Sequence, residues 1–206
     1  MELYLIRHSQ TDWNVQRRLQ GKTDTLLNAY GEDIARKTGN GLKDVEFKAA
    51  FCSPLKRARQ TAELILENRE VPILFDKRLE EISFGIYEGF SVLEESEHVL
   101  PEEFSYFFKA PHKYEPPEGG EGFREVLHRL NAFLEELYQN PLYTNEKILI
   151  CTHGATLNGI FSIMQKRTLE NYWGSRLQKN CAVTIVNIDN GAIEIKEEGL
   201  LFYTEE

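Results

Sequence analysis

LYLIRHSQTDWN, residues 3–14, runs from apolar to highly polar within a few positions. Leu3 to Ile6 reads as a buried β-strand, and Arg7 and His8 follow directly at its tip. Small and amide side chains come next: Ser9, Gln10, Thr11 and Asn14. A strand that ends in a fixed cation beside an imidazole is built to present both to something.

The rest of the chain alternates in the same way. AAFCS, VPILF and KILICTH read as further strands, the last near-continuously apolar, as expected of a strand covered on both faces. Between them lie helical patterns in GEDIARKTGNGL, in PLKRARQTAELILEN and in GFREVLHRLNAFLEELYQNP, and ATLNGIFSIMQ follows the last strand. In the longest, Val126, Leu130, Phe133, Leu134 and Leu137 share one face. CAVTIVNIDNGAIEIKEEGLLFY closes the chain as a β-hairpin around Asn190-Gly191. Strand–helix alternation predicts an α/β fold: a three-layer α/β/α sandwich around a mostly parallel, twisted, Rossmann-like sheet. The 206 residues fit one domain, 1–206. Residues 90–120, rich in carboxylates and with a Tyr106-Phe107-Phe108 cluster, read as a helical insertion over the sheet edge, capping the active site.

Composition excludes several classes. The net charge of -9 argues against a general nucleic-acid or anionic-membrane surface. No apolar run approaches the ~18 residues of a membrane helix, and Glu2 and Arg7 break the pattern of a signal peptide. Cys52, Cys151 and Cys181 lack metal-ligand spacing and read as small core residues of a cytoplasmic protein.

Three strands end alike: the first in Arg7-His8, the second in Ser53-Pro54, the fourth in Thr152-His153-Gly154. In an open parallel sheet these carboxyl ends share one edge, where ligands bind. Ser53-Pro54 is expected to cap a helix, with Ser as N-cap and Pro at the first position. A second helix begins after Gly154, so two helix N-termini would aim N–H groups at an anion. Arg7 and Arg57 add planar forks that match phosphate oxygens. Two histidines, His8 and His153, without a carboxylate set do not make a metal site. His98, His112 and His128 read as incidental.

Assembled, these segments resemble the histidine phosphatase superfamily, also called the phosphoglycerate mutase-like family. RHSQTDWN resembles its first motif; RRLQGKTDTLLNAYG, SPLKRARQTA, LEEISFGIYEG, PEGGEGFREVLHRL and CTHGATL follow in the family's order over residues 4–159. The resemblance implies that His8 becomes phosphorylated, that Arg7, Arg57 and His153 hold the phosphoryl oxygens, and that Glu81 is the proton donor. It places Asn14, Gln20, Gly21 and Gly154 at phosphate or substrate contacts, with no metal and no cofactor. Burial and a neighbouring phosphate are expected to keep Glu81 protonated until needed. The departure is Ser9, where the family usually has Gly; a small serine is either tolerated there or narrows the pocket or perturbs the backbone, affecting rate and not chemistry. Tyr87 and the aromatic cluster either stack on a substrate ring or fill a core.

The implied activity is a metal-independent phosphomonoester hydrolase acting through a phosphohistidine on a small phosphorylated metabolite. Within the family the chain resembles the branch of α-ribazole and broad-specificity phosphatases. A phosphoglycerate mutase is the alternative enzyme, although Gln10 stands where mutases usually carry Glu. A non-catalytic phosphate-ligand binder is the alternative of another class. The acidity of residues 90–120 argues against highly anionic substrates. The oligomeric state stays open, with a homodimer among the options.

Overall fold

The computed structural model describes residues 1–93, 100–174 and 177–204. Six strands form one sheet: β1 (Glu2–Arg7), β2 (Ala49–Cys52), β3 (Ile73–Phe75), β4 (Lys147–Thr152), β5 (Val183–Asp189) and β6 (Ala192–Leu200), in the order β3-β2-β4-β1-β5-β6. β1, β2, β3 and β4 run parallel, and the hairpin β5–β6 is added antiparallel to β1. The expected α/β/α sandwich with a mostly parallel sheet is what forms.

Alternation along the strands explains the layers. Leu3, Leu5, Ile148 and Ile150 project to one face with helices α5 (Phe123–Gln139) and α6 (Gly154–Met164). Tyr4, Ile6 and Leu149 project to the other, where Ile65 packs at the end of α3 (Lys56–Ile65) and Leu42 follows α2 (Ala29–Gly41). Each buried branched side chain contributes roughly 1.5–3 kcal/mol, so both layers are held by many such contacts. In register, Arg7 lies opposite Thr152, and Cys52 opposite Cys151. The three strand ends therefore open at one edge of the sheet, with His8, Ser53 and His153 one residue beyond.

One local expectation is corrected. α3 starts at Lys56 with Leu55 as its N-cap, so Ser53 is not the N-cap and Pro54 is not the first helical residue. The Ser53 hydroxyl instead accepts the Leu55 N–H at 3.3 Å and turns toward His153. Residues 100–120 form short turns and one brief helix, α4 (Tyr106–Lys109), whose Phe107 stacks on Phe123 at the start of α5. Trp173 donates its indole N–H to the Phe107 carbonyl at 2.7 Å, tying α4 to the region after α6. Residues 94–99 of the expected insertion, His98 included, lie outside the described residues.

Candidate active site

A cavity of about 240 Å³ opens where the strands end, and His8, Arg7, Arg57 and Glu81 all line it. Asn14, Gln20, Gly21 and Gly154 line it too, whereas His153 stands behind the lining residues.

The His8 ring is nearly fully buried, and its Nδ1 lies 2.7 Å from the Ser9 carbonyl oxygen. A carbonyl only accepts, so Nδ1 carries the proton and Nε2 keeps its lone pair. Burial, then the charges of Arg57 and Arg7, push His8 well below the usual imidazole range. The side chain is therefore neutral at pH 7, with the Nε2 lone pair unprotonated.

His153 stands beside it, with the ring centroids 5.1 Å apart. Its Nε2 lies 2.7 Å from the Ser53 hydroxyl. A serine hydroxyl has one proton and two lone pairs, so it can take the Leu55 N–H and still donate to Nε2, and a ligand that only accepts, facing Nδ1, selects the tautomer with the proton on Nδ1. Burial and the nearby Arg57 and His8 hold His153 well below the usual imidazole range as well. Nδ1–H is thus a neutral donor.

The arginines are braced by backbone carbonyls. Arg57 is fully buried and donates through Nη2 to Gly21 at 2.7 Å and through Nη1 to Thr23 at 2.9 Å. Burial lowers it to about 10, still charged at pH 7. Arg7 donates through Nη1 to the Gln178 carbonyl at 2.6 Å. Arg7 Nε, Arg57 Nε and His153 Nδ1 are buried and have no partner among the described residues. Buried donors in proteins are almost always satisfied, so these three are built for a ligand that accepts hydrogen bonds and carries negative charge.

Glu81 is placed differently from the phosphate-facing helix ends the sequence led us to expect. Its carboxylate, not a phosphate, takes the N–H groups at the start of α6: Ala155 at 3.1 Å and Thr156 at 3.0 Å. The N–H of Lys56, at the start of α3, likewise goes to the Asp24 carboxylate at 2.7 Å. At each helix start an acidic side chain thus takes part of the N–H groups, while Gly154, the first residue of α6, lines the cavity.

Ser9 is accommodated without strain. Its hydroxyl donates to the Gly31 carbonyl at 2.6 Å, away from the cavity, and its backbone φ is not in the left-handed region. It neither narrows the pocket nor demands glycine. Asn14 caps the short helix α1 (Asp12–Val15) by accepting the Thr11 N–H at 3.1 Å. The Gln20 oxygen takes the hydroxyls of Thr11 and Thr25, which leaves its amide N–H₂ for the cavity.

Several functional residues escaped the sequence reading. Glu88 accepts the N–H groups of Lys22 and Thr23 at 2.9 and 2.8 Å, fixing the loop whose carbonyls brace Arg57. Gly21, at φ +51°, is required there because a Cβ would stand 2.1 Å from the Glu88 carboxylate. Glu88 falls inside the LEEISFGIYEG block, which was the available signal. Trp13, Phe84, Phe107, Phe108 and Trp173 form an apolar wall of the cavity, whereas Tyr87 packs on Phe90 and Phe104. Isolated aromatics give no sequence signal that separates wall from core.

Comparison with known proteins agrees with this geometry. Residues 3–199 match the Histidine phosphatase superfamily (branch 1). The uncharacterized phosphatase PhoE of Bacillus subtilis is 37% identical over 77% of this chain and 74% of its own. The probable phosphoglycerate mutase GpmB of Shigella boydii is 31% identical over 91% of this chain and 85% of its own. The solved structure of Bacillus stearothermophilus YhfR superposes with a TM-score of 0.87 at 36% identity, covering 96% of each chain. With Arg7, His8, Arg57 and Glu81 lining one cavity and this match over nearly its whole length, the chain is an enzyme belonging to the histidine phosphatase superfamily, branch 1.

Proposed function

We propose that this protein is a metal-independent hydrolase of small phosphomonoesters whose alcohol portion is at least partly apolar. One observation carries the reading: His8, with its free Nε2, lines one cavity with Arg7 and Arg57, and the Nε groups of those arginines and Nδ1 of the adjacent His153 have no partner among the described residues.

The substrate phosphoryl group sits among these donors, with its phosphorus facing His8 Nε2. The nitrogen lone pair forms the N–P bond while the P–O bond to the alcohol breaks and its electrons leave on oxygen. Glu81, protonated at that stage, gives its proton to that oxygen. In the second half a water attacks phosphorus and Glu81 takes its proton. The N–P bond breaks, and its electrons return to Nε2. The two guanidinium groups and His153 Nδ1–H stabilise charge on the phosphoryl oxygens in both halves, the task a metal performs elsewhere. A loose phosphoryl-transfer state needs positioning and charge more than covalent assistance, which a rigid pair of buried arginines supplies.

The aromatic wall favours hydrolysis over mutase chemistry. A mutase must hold a doubly phosphorylated, carboxylate-bearing intermediate, and that calls for cations along the whole cavity. Here the side away from the cradle is Trp13, Phe84, Phe107, Phe108 and Trp173. Of the two rim arginines, Arg18 is spent on Trp13, its guanidinium 4.0 Å over the ring, and on the Gly89 carbonyl at 2.7 Å. The three free, buried cysteines support a reducing compartment such as the cytoplasm.

Rapid-quench labelling with a readily hydrolysed ester tests the mechanism: an acid-labile, base-stable adduct on residue 8 is expected, absent in His8→Ala. Turnover of p-nitrophenyl phosphate should persist in excess EDTA; its loss would overturn metal independence. Fast isomerisation of 3-phosphoglycerate primed by 2,3-bisphosphoglycerate, without phosphate release, would establish the mutase instead.

A further inference from the structure

The two oxygens of Glu81 are not equivalent. Oε1 takes the N–H of Ile82 at 3.0 Å and of Thr156 at 3.0 Å, and it also lies 3.1 Å from the Thr156 hydroxyl. Oε2 takes one N–H, that of Ala155 at 3.1 Å. A carboxylate oxygen has about two lone-pair directions, so Oε1 is saturated and Oε2 has one left.

The Thr156 hydroxyl has a single proton and two acceptor oxygens within reach. The Glu80 carbonyl is the closer, at 2.7 Å, against 3.1 Å for Glu81 Oε1. The proton is shared between the two, so the hydroxyl donates to Oε1 as well as to the Glu80 carbonyl. The threonine is fully buried and its methyl and hydroxyl cannot exchange places with water.

From this we infer that Thr156 is a positioning residue for the proton transfer: it anchors Glu81 through Oε1, so that Oε2 is the oxygen that hands the proton to the leaving alcohol. The anchor works at both ends of one residue, through the backbone N–H and through the hydroxyl. It also joins Glu81 to the peptide carbonyl that precedes it, so the carboxyl plane cannot rotate without breaking several hydrogen bonds together. In the second half-reaction the same oxygen receives the proton from water, and Oε1 keeps its anchor throughout. A carboxyl free to turn would present the wrong oxygen for part of the time, and the loss would fall on substrates that need the proton most. The inference rests on Glu81 being the acid.

The experiment is a leaving-group comparison in three variants. Glu81→Gln fixes the signature of losing the acid: a large fall in kcat/KM on an alkyl ester such as 2-phenylethyl phosphate and a small one on p-nitrophenyl phosphate, whose alcohol leaves without help. Thr156→Val keeps the shape and backbone N–H but removes the hydroxyl. It should reproduce that pattern in weaker form, about tenfold on the alkyl ester and less than threefold on the aryl ester. Thr156→Ser restores the hydroxyl and should return both substrates to within about threefold of the parent. Equal losses on both esters in Thr156→Val, or no rescue by serine, would overturn the positioning role and leave Glu81 as acid intact. No leaving-group discrimination in Glu81→Gln would instead overturn the acid reading itself. If Thr156→Val does not fold, the serine variant alone decides: an alkyl-selective loss greater than about threefold counts against the proposal.

Discussion

The hydroxyl of Ser53 lies 2.7 Å from Nε2 of His153, a hundred positions along the chain. The contact lets the serine give its proton to Nε2 while still accepting the Leu55 N–H, which leaves Nδ1 to carry the ring proton toward an accepting ligand. That Nδ1 is buried and has no partner among the described residues.

Ser53→Ala should therefore weaken phosphate recognition without unfolding the protein. With the hydroxyl gone, Nε2 loses its donor and the ring is free to move its proton, so His153 Nδ1 presents a lone pair to the phosphoryl oxygens for part of the time. We expect kcat/KM to fall by about tenfold or more, the scale of one hydrogen bond to a charged group. Nitrogen NMR of the two rings should show the His153 tautomer mixed in the variant and single in the parent. An unchanged His153 spectrum with lowered activity would count against this explanation.

Acid should destabilise the ligand-free protein in a specific window. His8 and His153 both sit well below the usual value of about 6.5 in the folded state, chiefly through burial, whereas the unfolded chain titrates near 6.5. As pH falls below about 6.5 the unfolded chain binds protons that the folded one refuses, so stability is whole above that pH and declines beneath it, down to the folded values. With both histidines refusing a proton, the slope approaches about 2.7 kcal/mol per pH unit, and half that in His8→Gln. Urea unfolding at pH 7.5, 6.5 and 5.5 reads it directly. A flat profile, or the same slope in the variant, would refute the assignment.

Ser9→Gly should be close to silent in catalysis. The hydroxyl donates to the Gly31 carbonyl and the Ser9 N–H goes to the Thr61 hydroxyl at 2.9 Å, neither facing the substrate. Losing the hydroxyl bond and gaining backbone freedom should cost about 1–2 kcal/mol of stability. Steady-state rates on p-nitrophenyl phosphate should stay within about twofold. A clear rise in kcat/KM would mean that the serine does restrict the pocket after all.

Much of this arrangement was legible before any coordinates. Apolar runs four to six residues long, broken by helical periodicity, predicted the parallel strands, and the polar residues at their tips pointed to the edge where ligands bind. Those signals are local: a strand hides its side chains by alternation, a helix by its own period, and each leaves its pattern in consecutive residues. Arg7, His8, Arg57, Glu81 and His153 could be named because each sits in a short segment of recognisable order.

The sequence alone determined the strand–helix framework, the histidine at the tip of the first strand and the two arginines beside it. Tertiary structure alone decided which hydrogen bonds those groups make: Ser53 with His153, Glu81 with the start of α6, Glu88 with the loop under Arg57, Ser9 with Gly31 rather than with the cavity. The physical reason is reach. A hydrogen bond depends on a few tenths of an ångström between groups that lie tens of residues apart, and no pattern of neighbours in the chain encodes that distance until the sheet has brought the strand ends together.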